Sequence, residues 1–272
     1  MKTLRIPFTI LCVLALGALS AHAAQLASAK VLKVEGTVAK YAAGGGGSTP
    51  LKAGDILTEG DSVSATALSS AQLVFSNGTE ISVEENTSFN IATLEQAPFG
   101  GSQSYEQLQA DPSQSQTLLE LNYGELKFHV KKLQPGSSFD IETPLGTAAI
   151  RGTQGAVKLF YNAERGEFIL FVSNNDGLVD ILSRYNGGLT FAGGSAQTGY
   201  SGSSEQKAEQ IPQGNMVIIR LHQNDPFFDD LFKAYRNYIP DEPKPGTIPL
   251  PDPIFTPEDP GVIIVSPEDG DS

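Results

Sequence analysis

Ala71-Gln72-Leu73-Val74-Phe75-Ser76-Asn77-Gly78-Thr79-Glu80-Ile81-Ser82-Val83 is the stretch whose reading decides the fold. Two apolar runs alternate with a period of two about a Ser-Asn-Gly turn signal, the pattern of a half-buried hairpin. A two-residue Asn77-Gly78 turn would pair Val74 with Ile81 and put Leu73 and Phe75 on the face opposite Ile81. A three-residue loop, with Gly78 left-handed after a type I turn, pairs Leu73 with Ile81 and Ala71 with Val83. Only the second gives one apolar face, so it is the expected one.

Working outward, the text is β from Val31 to Leu221: short runs of Val, Ile, Phe and Leu punctuated by Gly, Asn, Asp and Ser. Strands are expected at Lys30 to Val38, Leu118 to Leu121, Glu125 to Val130, Ser138 to Glu142, Gly155 to Tyr161, Glu167 to Ser173, Leu178 to Ser183, Leu189 to Phe191 and Met216 to Leu221. Asn174-Asn175-Asp176-Gly177 is read as a hairpin turn joining two of them. It lacks the spaced acids and closing Glu of a calcium loop. Tyr41 to Pro50, Glu95 to Thr117 and Gly193 to Gln210 carry little apolar character and are expected as surface excursions, the first two mobile. The expected fold class is all-β, an antiparallel sandwich-like roll with one short C-terminal helix and a disordered Pro-rich tail.

That helix opens at Asp225-Pro226, with Asp225 as N-cap and Asp229 and Asp230 in its first turn. Phe227, Phe228, Leu231, Phe232, Tyr235 and Tyr238 form its aromatic stripe, which suits packing on a sheet face or edge; the alternative is a docking surface for another chain. After Ile239 the text changes: 9 of the last 33 residues are Pro and 8 are acidic. Such a segment cannot build a core. Within it, Gly261-Val262-Ile263-Ile264-Val265 can add as a strand to a sheet edge in the same or another molecule.

The expected organisation is therefore a signal peptide at 1–23, a β domain at 24–221, a short amphipathic helix at 222–239 and an acidic, disordered tail at 240–272. Lys2 and Arg5, the apolar run from Ile6 to about Leu19 and Ala21-His22-Ala23 make up the signal, so the protein is expected to be exported to the periplasm, cell surface or medium. The run is shorter than the roughly 20 residues that span a bilayer. Cys12 is the one cysteine and leaves with the signal, which removes disulfides, thiol nucleophiles and thiolate metal sites from consideration.

With 31 Asp plus Glu against 18 Lys plus Arg and a net charge of −13, the chain has no basic cluster to set against phosphates. Nucleic acid and anionic membrane are excluded as partners on that ground; cationic or neutral ones remain. Enzyme constellations are missing too. Outside the signal there are two histidines, His129 and His222, with no H-x-x-x-H, G-x-S-x-G, phosphate loop or dinucleotide fingerprint. His129 shares strand parity with Glu125 and Lys127, opposite Leu126, Phe128 and Val130, and is expected in solvent. Glu84-Glu85 are adjacent on a strand and face opposite ways, unlike a glycosidase pair. No enzyme activity, cofactor or metal is expected.

Leu51 to Phe89 and Leu121 to Val157 together resemble the FecR domain, interrupted by the Gln-rich insertion at 95–117. The resemblance rests on the order Gly54-Asp55, Gly60-Asp61, Asn77-Gly78, Gly124, Thr143-Pro144 and Gly152-Thr153. It implies a compact β roll, known best as the periplasmic half of regulators of iron-siderophore uptake. The signal here stands where those regulators carry a cytoplasmic segment and a membrane helix, so direct sigma-factor control is not expected.

The leading expectation is a non-enzymatic binding or scaffolding module of the cell envelope, with an envelope protein or a glycan as partner. A periplasmic sensory module is the second. Some relatives cleave themselves at a Gly-Thr bond in the position of Gly152-Thr153 by an N-to-O acyl shift, with Arg151 near enough here to steady negative charge; the alternative is a strand kink. A carbohydrate-binding module, drawing on Tyr41, Tyr105, Tyr123, Tyr185 and Tyr200, is the third. The Gly-Asp pairs read as Asx turns ending strands.

Overall fold

The structure is a computed structural model that describes residues 27–44, 47–100, 103–183, 208–225 and 227–238. The signal at 1–23, the strand at Leu189 to Phe191, Pro226 and the tail with Gly261-Val265 lie outside the described residues, as does most of the Gly193 to Gln210 excursion. Strands run in chain order as β1 (Ala29–Glu35), β2 (Val38–Tyr41), β3 (Ser48–Pro50), β4 (Ile56–Leu57), β5 (Ser62–Ala65), β6 (Ser70–Phe75), β7 (Glu80–Val83) and β8 (Thr87–Gln96). They continue as β9 (Ser115–His129), β10 (Ser138–Thr143), β11 (Gly146–Arg151), β12 (Gln154–Asn162), β13 (Glu167–Asn174), β14 (Leu178–Ser183), β15 (Glu209–Ile211) and β16 (Asn215–His222), before helix α1 (Phe228–Tyr238).

The β6–β7 hairpin has the three-residue loop: Leu73 pairs with Ile81 and Ala71 with Val83, and Gly78 sits at φ +82. Asn77 Oδ1 accepts the Thr79 N–H at 3.0 Å, so the loop closes on its own side chain. Ala71, Leu73, Phe75, Ile81 and Val83 are all buried on one face.

Two sheets share one strand. The first runs β4-β1-β6-β7-β9-β12-β13-β16 and the second β3-β2-β5-β8-β9-β10-β11-β14-β15. The N-terminal part of β9 pairs with β8 and β10, its C-terminal part with β7 and β12. Sequence reading had split β9 at Gly124, because an interior glycine reads as a breaker. Gly124 is instead the corner at φ +95, where a Cβ would lie 2.4 Å from Thr87 Cα. The Thr87 hydroxyl fills that space and accepts the Glu125 N–H at 2.9 Å.

One apolar core lies between the sheets, with Phe75 edge-on to Phe139 across it. Among the described strands every ladder is antiparallel except β9 with β10, which is parallel. The expected strand from Lys30 to Val38 is two: Gly36, at φ +69, ends the run that pairs with β6 and passes the chain to the other sheet. α1 covers an end of the roll, with Phe228, Phe232 and Tyr235 against Tyr161 and Phe168, and Tyr235 edge-on to Tyr123. Tyr123 is therefore a buried strand residue, not a loop platform. Asp225 does not cap α1 with its side chain; its carboxylate turns back to accept the His222 N–H.

Glu95 to Thr117, expected as a surface excursion, is strand at both ends. Its two ends lengthen β8 and β9, which pair as far as Gln96 with Ser115. Between them a single 3-10 turn at Tyr105–Gln107 packs beside β6. The Tyr105 hydroxyl lies 3.1 Å from Ser28 Oγ and Lys30 donates to Glu106 at 2.7 Å. Asp111 is buried, accepting hydroxyl protons from Ser115 at 2.9 Å and Ser137 at 2.7 Å.

Candidate functional site

The residues picked out by the sequence motif do not meet at one place. Each holds a turn or a crossing. Lys52 to Asp55 and Thr58 to Asp61 are two copies of one device: a β-turn with glycine third, Gly54 at φ +93 and Gly60 at φ +85. Its closing carboxylate reaches back to the first N–H, Asp55 to Lys52 and Asp61 to Thr58, each at 2.8 Å. These are not the forward Asx turns expected, since the acid closes the turn from its last position. Asp61 is buried and also receives Lys40 Nζ at 2.9 Å.

Thr143-Pro144 begins the β10–β11 hairpin. The Thr143 hydroxyl accepts the Leu145 and Gly146 N–H groups at 3.2 and 3.1 Å and donates to the Gly146 carbonyl at 2.8 Å. Proline suits the first loop position because it fixes φ there and needs no donor.

Gly152-Thr153 is the crossing from β11 in one sheet to β12 in the other. Gly152 has φ +68. Asn174 to Gly177 is also a crossing, because β13 pairs with β12 and β16 while β14 pairs with β11 and β15. It is therefore not a hairpin turn. The two crossings lock together. The buried Thr153 hydroxyl lies 2.9 Å from Asn174 Oδ1 and 3.1 Å from Asp176 Oδ1, while the Asp176 N–H approaches it at 3.3 Å. The same carboxylate oxygen accepts the Gln154 N–H at 2.8 Å. Gly177 has to be glycine here, since a Cβ would stand 2.3 Å from the Gly152 carbonyl oxygen. Arg151 points elsewhere, its side chain exposed and its Nε 4.0 Å from Asp180.

Nothing in the sequence marked Asp176, Asp111 or Glu167 as special, because their partners lie far along the chain. Glu167 is buried beside Arg220, to which it is ion-paired, with His222 Nδ1 at 3.4 Å. Glu125, which shares strand parity with His129, is buried between Lys158 at 3.0 Å and Lys127 at 4.0 Å. His129 is 41% exposed, and Lys131 Nζ lies 3.2 Å from its Nδ1. Among the described residues no group of His, Cys, Asp and Glu is placed to hold a metal ion.

The outer face of the second sheet is acidic. Glu120 stands opposite Glu142, and Asp140 and Asp180 flank Ala149 in register. Burial pushes the Asp140 carboxyl above its ordinary range, partly offset by a hydrogen bond from Ser138 and by the charge of Arg151.

Residues 61–173 match the family model described as FecR protein. That stretch is similar to the FecR domain. The match includes Asp61, the β6–β7 hairpin, the β9 corner, the β10–β11 hairpin and the Gly152-Thr153 crossing. No curated protein matches. Two crystal structures of a candidate anti-sigma factor from Parabacteroides distasonis are similar over 62% and 60% of this chain, at 16% and 15% identity and TM-scores of 0.38 and 0.37. This chain spans 57% and 56% of their lengths. Among the described residues no helix is long and apolar enough to cross a membrane.

Proposed function

We propose that this FecR-domain protein is exported and serves the cell envelope as a non-enzymatic binding module whose partner is a protein with a cationic surface. The organisation proposed for the chain is a signal at 1–23, the β domain at 24–221, the helix at 222–239 and the tail at 240–272. The carrying observation is the outer face of β9, β10, β11 and β14, where Glu120, Asp140, Glu142 and Asp180 are presented side by side on a rigid frame. A row of carboxylates on one face attracts a cationic surface and steers it there.

The family motif is spent on turns and crossings, which leaves outer faces and edges for contact. Photo-crosslinking from position 147, opposite Glu142, and from position 180 in the intact envelope tests this reading. A protein adduct that disappears in Glu120→Lys/Glu142→Lys supports it; adducts that survive the charge reversal move the interface elsewhere.

The second reading, a sensory module that cleaves itself at Gly152-Thr153, is favoured by the Asp176 carboxylate beside the Thr153 hydroxyl. In that chemistry Asp176 takes the hydroxyl proton as Oγ attacks the Gly152 carbonyl carbon and returns it to the Thr153 nitrogen as the C–N bond breaks; water then hydrolyses the ester to a Gly152 carboxylate and a free Thr153 hydroxyl. Intact mass before and after days at neutral pH, beside Thr153→Ala, decides it: two fragments from the wild type alone support cleavage. No observation favours the glycan reading. Tyr41 is exposed, Tyr105 is engaged by Ser28, Tyr123 is buried, and Tyr185 and Tyr200 lie outside the described residues.

A further inference from the structure

β16 is an edge strand of eight residues, Asn-Met-Val-Ile-Ile-Arg-Leu-His, whose one ladder among the described residues is with β13. Edge strands in stable proteins are shortened, charged or interrupted by proline to prevent further pairing. β16 has none of these devices along its apolar middle. Val217, Ile219 and Leu221 face the core, and Met216 and Ile218 face outward. The outer side continues as an apolar patch of Ile169, Phe160 and Phe171, the last two stacked with centroids 5.8 Å apart. Ile169, Met216 and Ile218 are buried although no apolar residue of another layer joins them among the described residues.

A strand added beside Met216 to Ile219 must be apolar on both faces, because this stretch of its neighbour is; Arg220 and His222, farther along the outward face, lie beside Glu167. Alternating strands do not meet that requirement; a continuous apolar run does. In the sequence beyond α1, Val262-Ile263-Ile264-Val265 is such a run, bounded by Gly261 and by Pro267. Reach and starting point agree. Near its C-terminal end α1 packs through Tyr235 on Phe168, Tyr161 and Tyr123, so the chain leaves the helix over β13, β12 and β9, within three strands of this edge. The 22 residues from Ile239 to Pro260, rich in proline, extend to about 68 Å at about 3.1 Å each. β16 is about 26 Å long. The tether holds the run near the edge at an effective concentration on the order of millimolar.

We propose that residues 261–265 add as a strand to β16 of the same molecule and complete the first sheet. The inference is independent of the acidic-face reading, since it concerns the other sheet. The test is amide hydrogen exchange of β16 in the full chain, comparing wild type with Ile263→Pro and with Val262→Asp/Ile264→Asp. Both variants lie in the tail, outside the domain core, and β9 amides serve as the internal reference. β16 protection should fall about tenfold or more in both variants with β9 unchanged, and excess synthetic peptide of residues 258–268 should restore it. Equal β16 exchange in all three proteins overturns the proposal. Protection that rises with protein concentration also overturns it, because the strand then comes from a second copy.

Discussion

At the residue scale, Gly124 and Gly54 separate two reasons for glycine. Both have positive φ, but a Cβ at Gly54 meets nothing within 4 Å, whereas at Gly124 it collides with the Thr87 backbone. Gly54→Ala should cost about 1 kcal/mol, the left-handed penalty alone. Gly124→Ala should cost more than about 3 kcal/mol or fail to fold, read by thermal unfolding. Thr153→Val keeps the shape and removes the hydroxyl that Asn174 and Asp176 share, stranding the buried Asn174 acceptor. A loss of about 2 kcal/mol in urea unfolding is expected. The turn glycines were legible because a turn is written in adjacent residues. The Thr153 clasp was not, since Asp176 is 23 positions away and nothing local distinguishes it from a turn residue.

Elements show the same division. The β6–β7 hairpin could be read to the register because loop chemistry and side-chain parity agree. β8, Thr-Ser-Phe-Asn-Ile-Ala-Thr-Leu-Glu-Gln, was missed: polar residues dilute its alternation, and two register shifts against β9 break the parity. The insertion between them looked unstructured by composition, yet its 3-10 turn is pinned by charge. Lys30 beside Glu106, with the Glu106 N–H and the Ser104 side chain, lowers that carboxyl from 4.5 to about 2.

A depressed acid contributes stability that is present above its unfolded value and lost as pH falls through the folded one. Exchange or proteolysis around residues 103–110 should therefore accelerate as pH falls from about 4.5 toward 2, and Glu106→Gln should abolish that dependence. Asp140 has the opposite sign. Its raised carboxyl favours the fold in the protonated form, so stability is lost as pH rises through the folded value. Asp140→Asn should raise the melting temperature at neutral pH and leave it unchanged in acid.

For the whole molecule, the decisive feature is that neither sheet is complete without β9, and that one core serves both. Separate unfolding of the sheets is not available to such a structure. Calorimetric and van't Hoff enthalpies of the described domain should agree; two resolved transitions would contradict the shared strand. The sequence announced two sheets' worth of strands but not that they were joined, because Gly124 hid the continuity of the strand that joins them. β9 also draws its neighbours from both sides of the sequence: β7 and β8 are made before it, β10 and β12 after it. A chain emerging from the ribosome cannot give β9 both of its later neighbours until residue 162 has been synthesised, and the sheets gain strands up to residue 222. It stays threadable for most of its translation, which suits the export proposed for it.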